Sequence, residues 1–267
     1  MNTTIRKSAG LGAAALAAVL LAGTAFAEGM PKRGSMKAPE PERRACTLSA
    51  NVGLTTDYVF RGISQTAETA AIQGGFDATC GLFYAGVWAS SLDFDGAASI
   101  EIDWYAGIKP KTGPITWDLG VIYYSYPNSL GSADFPFVEL KVGGSGEIWK
   151  DGTLGVTVFY SPEYTGNTGA VWTVETGLSQ ALPKMGMFSP TFSALVGYQR
   201  GGSDFEGVFG ENSYMYWNAG LTLGFHEKWS IDVRYWDTNL DEGTGACPGG
   251  SLFSCDQRFV ATLKFTY

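Results

Sequence analysis

The stretch LSANVGLTTDYVFRGISQT, residues 48–66, alternates between apolar and polar side chains. The apolar positions share one parity: Leu48, Ala50, Val52, Leu54, Tyr58 and Phe60. The opposite parity carries small or polar residues: Ser49, Asn51, Gly53, Thr55, Asp57 and Arg61. A period of two places the two sets on opposite faces of a β-strand. The run is long enough for a tilted strand across a bilayer, which takes about 9–11 residues. This pattern predicts the first strand of an outer-membrane β-barrel.

The same alternation recurs along the chain and defines about twelve segments, an even number as closed membrane barrels require. They lie near residues 48–60, 70–79, 82–92, 99–109, 115–126, 138–142, 154–160, 171–181, 191–200, 214–225, 229–237 and 258–267. Which face of the third segment meets lipid stays open, and no helical period stands out between the segments. The pattern therefore predicts an all-β fold, a transmembrane, antiparallel, up-and-down β-barrel.

The connections between the predicted strands differ in length. Those after odd-numbered strands are mostly long, and those after even-numbered strands are mostly short. With both chain ends in the periplasm, the short connections become periplasmic turns and the long ones extracellular loops. Tryptophan and tyrosine lie toward strand ends, where aromatic girdles meet the membrane interface. These girdle residues are Tyr58, Trp117, Tyr123, Trp172, Trp217, Trp229 and Tyr267.

The two ends of the chain carry signals for export and assembly. Residues 1–27 combine Arg6 and Lys7 with an apolar run and a small-residue cleavage site, which predicts a secretory signal peptide. Residues 28–45 are rich in proline and charge, and we interpret them as a periplasmic linker rather than a docking segment. The barrel then occupies residues 46–267. Its last residues resemble the C-terminal signal of outer-membrane barrels, with Phe259, Leu263, Phe265 and Tyr267 on one parity.

Net charge and composition exclude one class of partner and agree with a barrel. The formal charge of −8 becomes about −10 when Arg6 and Lys7 leave with the signal peptide, which argues against nucleic-acid binding. The 36 glycines and the low share of charged residues, 16%, fit strands that meet lipid on one face and a packed lumen on the other.

The four cysteines predict two disulfides, which an exported protein permits. Cys46 opens the first predicted strand and Cys80 closes the second, so the hairpin between them brings the two together. Cys247 and Cys255 flank a glycine-rich loop before the last strand. We therefore predict the bridges Cys46–Cys80 and Cys247–Cys255.

The polar parity supplies charged side chains that we predict to line the lumen. The acids are Asp57, Asp77, Glu101, Asp103, Asp118, Glu139, Glu175 and Asp232. The bases are Arg61, Lys109, Lys141, Arg234, Arg258 and Lys264. Their modest acidic surplus favours cations if a path exists; alternatively, the groups pair with one another and plug the lumen. About twelve strands fall between filled eight-stranded and open sixteen-stranded barrels, which predicts a narrow pore.

Asp57 and Arg61 lie four residues apart on the inward parity near the outer rim. One interpretation makes them an electrostatic element at a constriction. The other, which we favour, makes them an ion pair in the barrel wall that holds the first hairpin.

Residues that carry chemistry are sparse. A Ser–His arrangement requires a histidine near a nucleophile, and the one histidine, His226, falls in a predicted periplasmic turn. Glu101 and Asp103 share one strand face and are more simply explained as lumen lining than as a catalytic acid pair. We expect no enzyme activity, no metal site and no cofactor.

Several stretches together resemble a known family. They are SANVGLTTDYVFRGISQT, AIQGGFD, FYAGVW, SIEIDWYAG, DLGVIYYSYP and the late CDQRFV. They are similar to the TorF family of proteobacterial porins, also called Gcw_chp, over nearly all of residues 48–267. The resemblance implies an outer-membrane barrel assigned as a porin. It supplies no catalytic residues and no substrate.

We therefore expect a passive channel for ions or small hydrophilic solutes in the bacterial outer membrane. Its expected partners are outer-membrane lipid, the barrel-assembly machinery and the permeating solute. Two alternatives stay open. One is a structural or surface-interaction barrel without an open pore, which would use the loop between Cys247 and Cys255 as its contact. The other is a soluble periplasmic carrier, which the aromatic bands at the strand ends disfavour.

Overall fold

The chain forms a closed antiparallel β-barrel in a computed structural model that describes residues 46–130, 134–243, 245, 247 and 253–267. The predicted signal peptide, 1–27, and linker, 28–45, lie outside the described residues. Within the described part of the chain, no helix is long and apolar enough to span a membrane.

Most of the described residues belong to strands. In chain order the strands are β1 (Thr47–Thr55), β2 (Val59–Phe60), β3 (Ile63–Ser64), β4 (Ala71–Cys80), β5 (Phe83–Ser91), β6 (Ile100–Ile108), β7 (Lys111–Thr112), β8 (Ile115–Ser125), β9 (Phe137–Trp149), β10 (Gly152–Ser161), β11 (Val171–Ala181), β12 (Ser189–Arg200), β13 (Ser213–Phe225), β14 (Trp229–Thr238) and β15 (Arg258–Thr266). The described helices are a 3-10 turn, Thr165–Asn167, and α1 (Ser203–Phe209).

Twelve of these strands form the wall, as the sequence predicts. Each pairs antiparallel with its neighbours, and β15 returns to β1, with Val52 opposite Phe265, so the ring closes. The short strand β7 only extends the turn before β8, and the hairpin β2–β3 forms a separate sheet. Closure satisfies the backbone groups of every wall strand, which a bilayer core without water requires.

The period of two assigns side chains to the two faces as predicted. On β1, Val52 and Leu54 are exposed on the outer face, whereas Thr55 is buried inside. On β15, Phe259 is exposed and Val260 is buried. The outer surface is therefore apolar along the full ring, and the polar parity faces the lumen.

The facing of β5, which the sequence leaves open, is decided by inward aromatic residues. The Tyr84 hydroxyl donates to Asp118 at 2.6 Å, and the Trp88 ring packs edge-on against Tyr58 at 5.3 Å. Phe83, the first residue of β5 and the neighbour of Tyr84, is exposed on the outer face. Sequence alone is ambiguous here because both faces of β5 carry aromatic side chains.

Both predicted disulfides are present. Cys46 and Cys80 bridge β1 and β4 at the rim where β1 begins, with Cα atoms 4.4 Å apart, directly beyond the register pair Thr47–Thr79. Cys247 and Cys255 close the loop between β14 and β15, with Cα atoms 5.7 Å apart. The first bridge staples the wall and the second constrains an outer loop.

Two features differ from the sequence prediction. The first strand ends at Thr55, and the chain then turns into the lumen, so Tyr58 and Phe60 are buried inside at 3% and 2% exposure. The prediction that Tyr58 belongs to the lipid girdle is therefore wrong. The helix α1 was also not predicted, because seven residues are too few to display a helical period.

Removing the first disulfide tests its contribution to the wall. The Cys46→Ser/Cys80→Ser double variant should lose about 2–4 kcal/mol of stability, because a bridge across a sequence separation of 34 restricts the unfolded chain. The measurement is the urea midpoint, read from the electrophoretic shift between folded and unfolded barrel. The Cys247→Ser/Cys255→Ser variant, with a separation of 8, should lose less. An equal loss in both would contradict the assignment of the first bridge as the wall staple.

Candidate functional site: the barrel lumen

The charged residues predicted for the lumen lie on the inner side of the wall or in the first outer loop, at two levels. Those near the outer strand ends are buried: Asp57, Arg61, Glu101, Asp103, Glu139 and Arg258, the last with 9% of its side chain exposed. Those further toward the periplasmic ends are Asp77, Lys109, Asp118, Lys141, Glu175, Asp232, Arg234 and Lys264. Whether these groups line an open pore stays a prediction.

The first outer loop folds into the barrel and fills its outer half. We call residues 56–66 the plug loop; it contains the hairpin β2–β3. The chain reverses at Arg61 and Gly62, whose φ angles of 45° and 86° lie in the left-handed region. A side chain at Gly62 would overlap Thr238 of the wall, so only glycine fits this reversal. From residue 57 to residue 66 every position is buried.

Arg61 at the tip of the plug loop forms a buried ion pair with the wall. Its Nη2 lies 3.0 Å from Glu139 Oε1 on β9, and both side chains are almost fully buried. The Tyr124 hydroxyl donates to the same carboxylate at 3.1 Å. The guanidinium also lies 5.1 Å from the ring centres of Phe60 and Phe159. Aromatic faces and one carboxylate therefore hold the cation in place.

Asp57 at the start of the plug loop anchors it to the last strand. Its carboxylate accepts hydrogen bonds from Ser64 at 2.7 Å and Thr66 at 2.8 Å. Arg258 Nη1 lies 3.0 Å from the other oxygen, and Arg258 Nη2 donates to Ser254 at 2.8 Å. The plug loop is thus tied to the outer loop that the Cys247–Cys255 bridge closes.

These contacts correct the favoured interpretation of Asp57 and Arg61. They do not form an ion pair with each other: Arg61 bonds Glu139, whereas Asp57 bonds Arg258. Both partners lie far away in sequence, so spacing along one strand could not identify them. The chain reverses at Arg61 and Gly62, and the two side chains reach different strands, Arg61 that of Glu139 and Asp57 that of Arg258.

Aromatic rings complete the filling of the outer half. Phe94, from the loop after β5, contacts Tyr126, Phe135 and Phe253 at 4.9–6.1 Å between ring centres. Phe205 and Phe209 of α1 stack at 4.0 Å and pack near Tyr164 and Tyr214. Six outer loops, the plug loop among them, therefore contribute to one apolar core inside the barrel.

Two carboxyl groups lie beneath this core without a cation. Tyr58 donates to Glu101 Oε1 at 2.7 Å, and Asp103 follows two residues later on the same face of β6. Their exposures are 0% and 2%, and neither has an ion pair among the described residues. The outer half therefore holds more carboxyl groups than cations, in line with the acidic surplus among the predicted lumen residues.

Tyrosines hold the carboxylates of the wall. Tyr105 donates to Asp77, and Tyr216 donates to Glu175, each at 2.6 Å. Each ring crosses a neighbouring strand at a glycine: a methyl group at Gly86 would overlap Tyr105, and one at Gly197 would overlap Tyr216. Glycine on the inner parity therefore makes room for a ring that fixes a carboxylate.

Lys109, Lys141 and Arg234 are also paired, whereas Lys264 forms no ion pair among the described residues. Lys141 Nζ lies 2.9 Å from Asp118 Oδ2, and Lys109, half exposed, lies 3.9 Å from the same oxygen. Arg234 contacts Asp232 at 3.0 Å and donates to Asn218 at 2.6 Å. These pairs belong to the wall, and they leave Asp77 and Glu175 with tyrosine partners and no ion pair in the described structure.

Sequence reasoning missed the inward tyrosines and the plug loop. Tyr105 and Tyr124 share the parity of Asp103 and Asp118 on their strands, which is the signal that places them inside. Tyr84 and Tyr216 lie on strands that carry aromatic side chains on both faces, so their facing is ambiguous. The signal for the plug loop is the Phe-Arg-Gly sequence at 60–62, where glycine permits the chain reversal. His226 lies in the exposed turn between β13 and β14, as predicted.

The chain matches the model of a known protein family. The model of the family described as "Bacterial protein of unknown function (Gcw_chp)" matches residues 40–267, and the chain belongs to that family. No protein of curated function matches the sequence. The TorF designation that the sequence resemblance implies is not tested by this match.

Several solved porin structures have the same fold. A structure named KdgM porin superposes with a TM-score of 0.55 at 10% identity, covering 82% of this chain and 98% of that one. A second, KdgM porin in complex with disordered oligogalacturonate, gives 0.54 at 9% identity over 84% and 99% of the two chains. A NanC porin structure gives 0.53 at 10% identity over 82% and 98%. At these identities the similarity establishes the fold alone: a closed twelve-stranded porin-like barrel.

The Tyr216–Glu175 contact can be tested through the glycine beneath it. The free energy of unfolding of the Gly197→Ala variant should be lower by about 1–3 kcal/mol, because the new methyl group displaces the Tyr216 ring from its hydrogen bond with Glu175. The matched control is Gly177→Ala on β11, where the nearest atom to the new methyl lies 3.8 Å away. Urea midpoints in detergent measure both. Equal midpoints for the two variants would show that the ring does not rest on Gly197.

The burial of the Asp57 carboxyl predicts that the stability of the folded protein depends on pH. Burial raises the pKa of its carboxyl, in opposition to the hydrogen bonds from Ser64, Thr66 and Arg258. The folded state therefore binds the proton more tightly than the unfolded state, so this group's stabilising effect is present at low pH and is lost as pH rises through the raised pKa. Glu68, 3.5 Å from Arg258, is the other carboxylate at this anchor.

The expected result is that the thermal midpoint of the wild type falls relative to that of Asp57→Asn as pH rises from about 4 to about 7. Asn cannot titrate, so the difference between the two proteins isolates this carboxyl from all others. A difference that grows in favour of the wild type with rising pH would contradict the raised pKa.

Proposed function

We propose that this protein is a bacterial outer-membrane channel for passive diffusion of ions or small hydrophilic solutes through a narrow lumen. The observation that carries the proposal is the closed barrel itself, with an apolar outer face and charged side chains inside. A protein that presents apolar residues around its full circumference is suited to lipid, and one with a polar interior is suited to solutes in water. The porin fold of KdgM and NanC is consistent with this assignment.

The proposal includes a mild preference for cations. Asp77 and Glu175 point into the lumen with tyrosine partners and without an ion pair in the described residues, whereas Lys141 and Arg234 are paired with aspartates. Lys264 is the one predicted lumen base without an ion pair there, so the unpaired carboxylates are in surplus. Unneutralised carboxylates on a lumen wall attract cations and repel anions. The TorF porin designation agrees with this function.

Location and assembly are part of the same proposal. The last strand presents Phe259, Leu263, Phe265 and Tyr267 on its outer parity, and the Tyr267 amide donates to the Ala50 carbonyl at 2.8 Å. We infer recognition of this strand by the barrel-assembly machinery after export, with the signal peptide removed. Outer-membrane lipid then covers the apolar belt.

One observation favours the alternative of a barrel without an open pore. The outer half is filled by the plug loop and by aromatic rings, among them Phe94 and Phe205. A barrel that stays filled in this way would serve as a surface or structural protein. Conductance separates the two functions.

Conductance of the refolded chain in planar bilayers tests the proposal. In a potassium chloride gradient we expect channel events above background and a reversal potential shifted toward that of potassium. The Asp77→Asn/Glu175→Gln variant should move the reversal potential toward zero, because it removes the unneutralised carboxylates.

The control is Glu206→Gln, which removes an exposed carboxylate on α1, outside the lumen, and should leave the reversal potential unchanged. Folding of every protein is checked by its electrophoretic shift on heating. Absence of channel events from folded protein, in both the wild type and the Glu139→Gln variant, would overturn the channel function.

A further inference from the structure

The plug loop is held differently from the rest of the barrel. Wall strands are joined by continuous backbone ladders, but the hairpin β2–β3 pairs only with itself among the described strands. Its backbone reaches neighbouring loops at isolated points, such as Ser64 N to Ser254 O at 2.8 Å and Asp93 N to Gln65 O at 3.0 Å. The plug loop can therefore leave the lumen without breaking any wall ladder.

We infer that the plug loop is a releasable stopper and that the Arg61–Glu139 ion pair is its latch. The inference rests on the proposed channel function for its consequence, but not for the motion itself. The plug loop starts at β1, and Glu139 lies on β9, five strands further round the ring. Arg61 thus spans the lumen and fastens the loop tip to the far wall.

The ion pair with Glu139 holds Arg61 in place, but the hydrogen bonding of the guanidinium is incomplete. Only Nη2 of Arg61 reaches a carboxylate, while Nε and Nη1 have no hydrogen bond of good geometry among the described residues. Gln65 Oε1 in the same loop is likewise buried without such a bond. Buried polar atoms with incomplete bonding are costly compared with their hydrated state. Release into water therefore recovers hydration that offsets part of the lost ion pair.

Release changes the character of the lumen. Glu101, Asp103 and Glu139 lie against the plug loop, through Tyr58 and Arg61, and become wall groups once it leaves. Departure of Arg61 also removes the one cation that bonds this set in the described structure. The released state is therefore wider and more acidic at its outer end, in agreement with cation preference.

The chain offers a direct measure of release. All four cysteines are in disulfides, so a single added cysteine gives one reactive thiol. Ile63 in the plug loop is 1% exposed and lies next to the reversal at Gly62. In the Ile63→Cys background, a polymer-linked maleimide too large for the lumen reacts only when the plug loop has moved out.

Glu139→Gln keeps the acceptor for Tyr124 but leaves Arg61 buried without a charge partner. We expect this variant to raise the labelling rate by about 100-fold or more, since loss of one partner from a buried ion pair favours escape of the other. The Arg61→Met/Glu139→Gln double variant should restore slow labelling, because it leaves no buried charge. The matched control is Glu147→Gln at the periplasmic end of the same strand β9, which should label like the parent.

Conductance of the same proteins is recorded in parallel, with Glu139→Gln expected to increase the time spent open. Unchanged labelling in Glu139→Gln, with the barrel folded by its heat shift, would overturn the latch. Fast labelling in both the single and the double variant would also overturn it, because the buried charge would then not be the cause.

Fast labelling in the single variant alone, without channel events in any protein, would uphold the releasable plug and overturn the channel function. If Glu139→Gln does not fold, Arg61→Gln breaks the same pair from the loop side, outside the wall. Faster labelling in that variant supports the latch, and parental labelling overturns it.

Discussion

Closure of the ring between β1 and β15 is the constraint on which the other features depend. The backbone groups of a membrane strand have no water to bond, so each strand must pair on both sides. Once twelve strands meet this requirement, every second side chain faces lipid and the others face one enclosed space. The Cys46–Cys80 bridge reinforces the closed wall at the periplasmic edge of its first hairpin.

The enclosed space then dictates the chemistry of the inner face. Half-buried carboxylates there accept hydrogen bonds from tyrosine hydroxyls, as in Tyr105–Asp77 and Tyr216–Glu175. Each ring needs room to cross a strand, and a glycine provides it, as Gly197 does for Tyr216. Glycine, tyrosine and a carboxylate thus occur together at these two places on the inner face.

In the outer half of the barrel, buried charged side chains are also paired, but loops fill the space around them. Arg61 and Asp57 each bond a distant wall residue, and aromatic rings from several loops pack around them. The interior is consequently a packed core at one end and a partly hydrated, charged wall at the other. If the barrel conducts as proposed, the opening of its outer half depends on how firmly that core is held, and the Arg61–Glu139 pair is the contact that joins the plug loop to the far wall.

The class of fold, the number of wall strands, the outward face of most of them and both disulfide pairings can be read from the chain's pattern. Each of these follows from a local period of two or from hairpin symmetry. The course of residues 56–66, the facing of β5 and the partners Glu139 and Arg258 become visible only in the folded barrel. Arg61 reaches Glu139 across the lumen, and Asp57 reaches Arg258 because the ring closes between the first and last strands, so neither contact follows a local period.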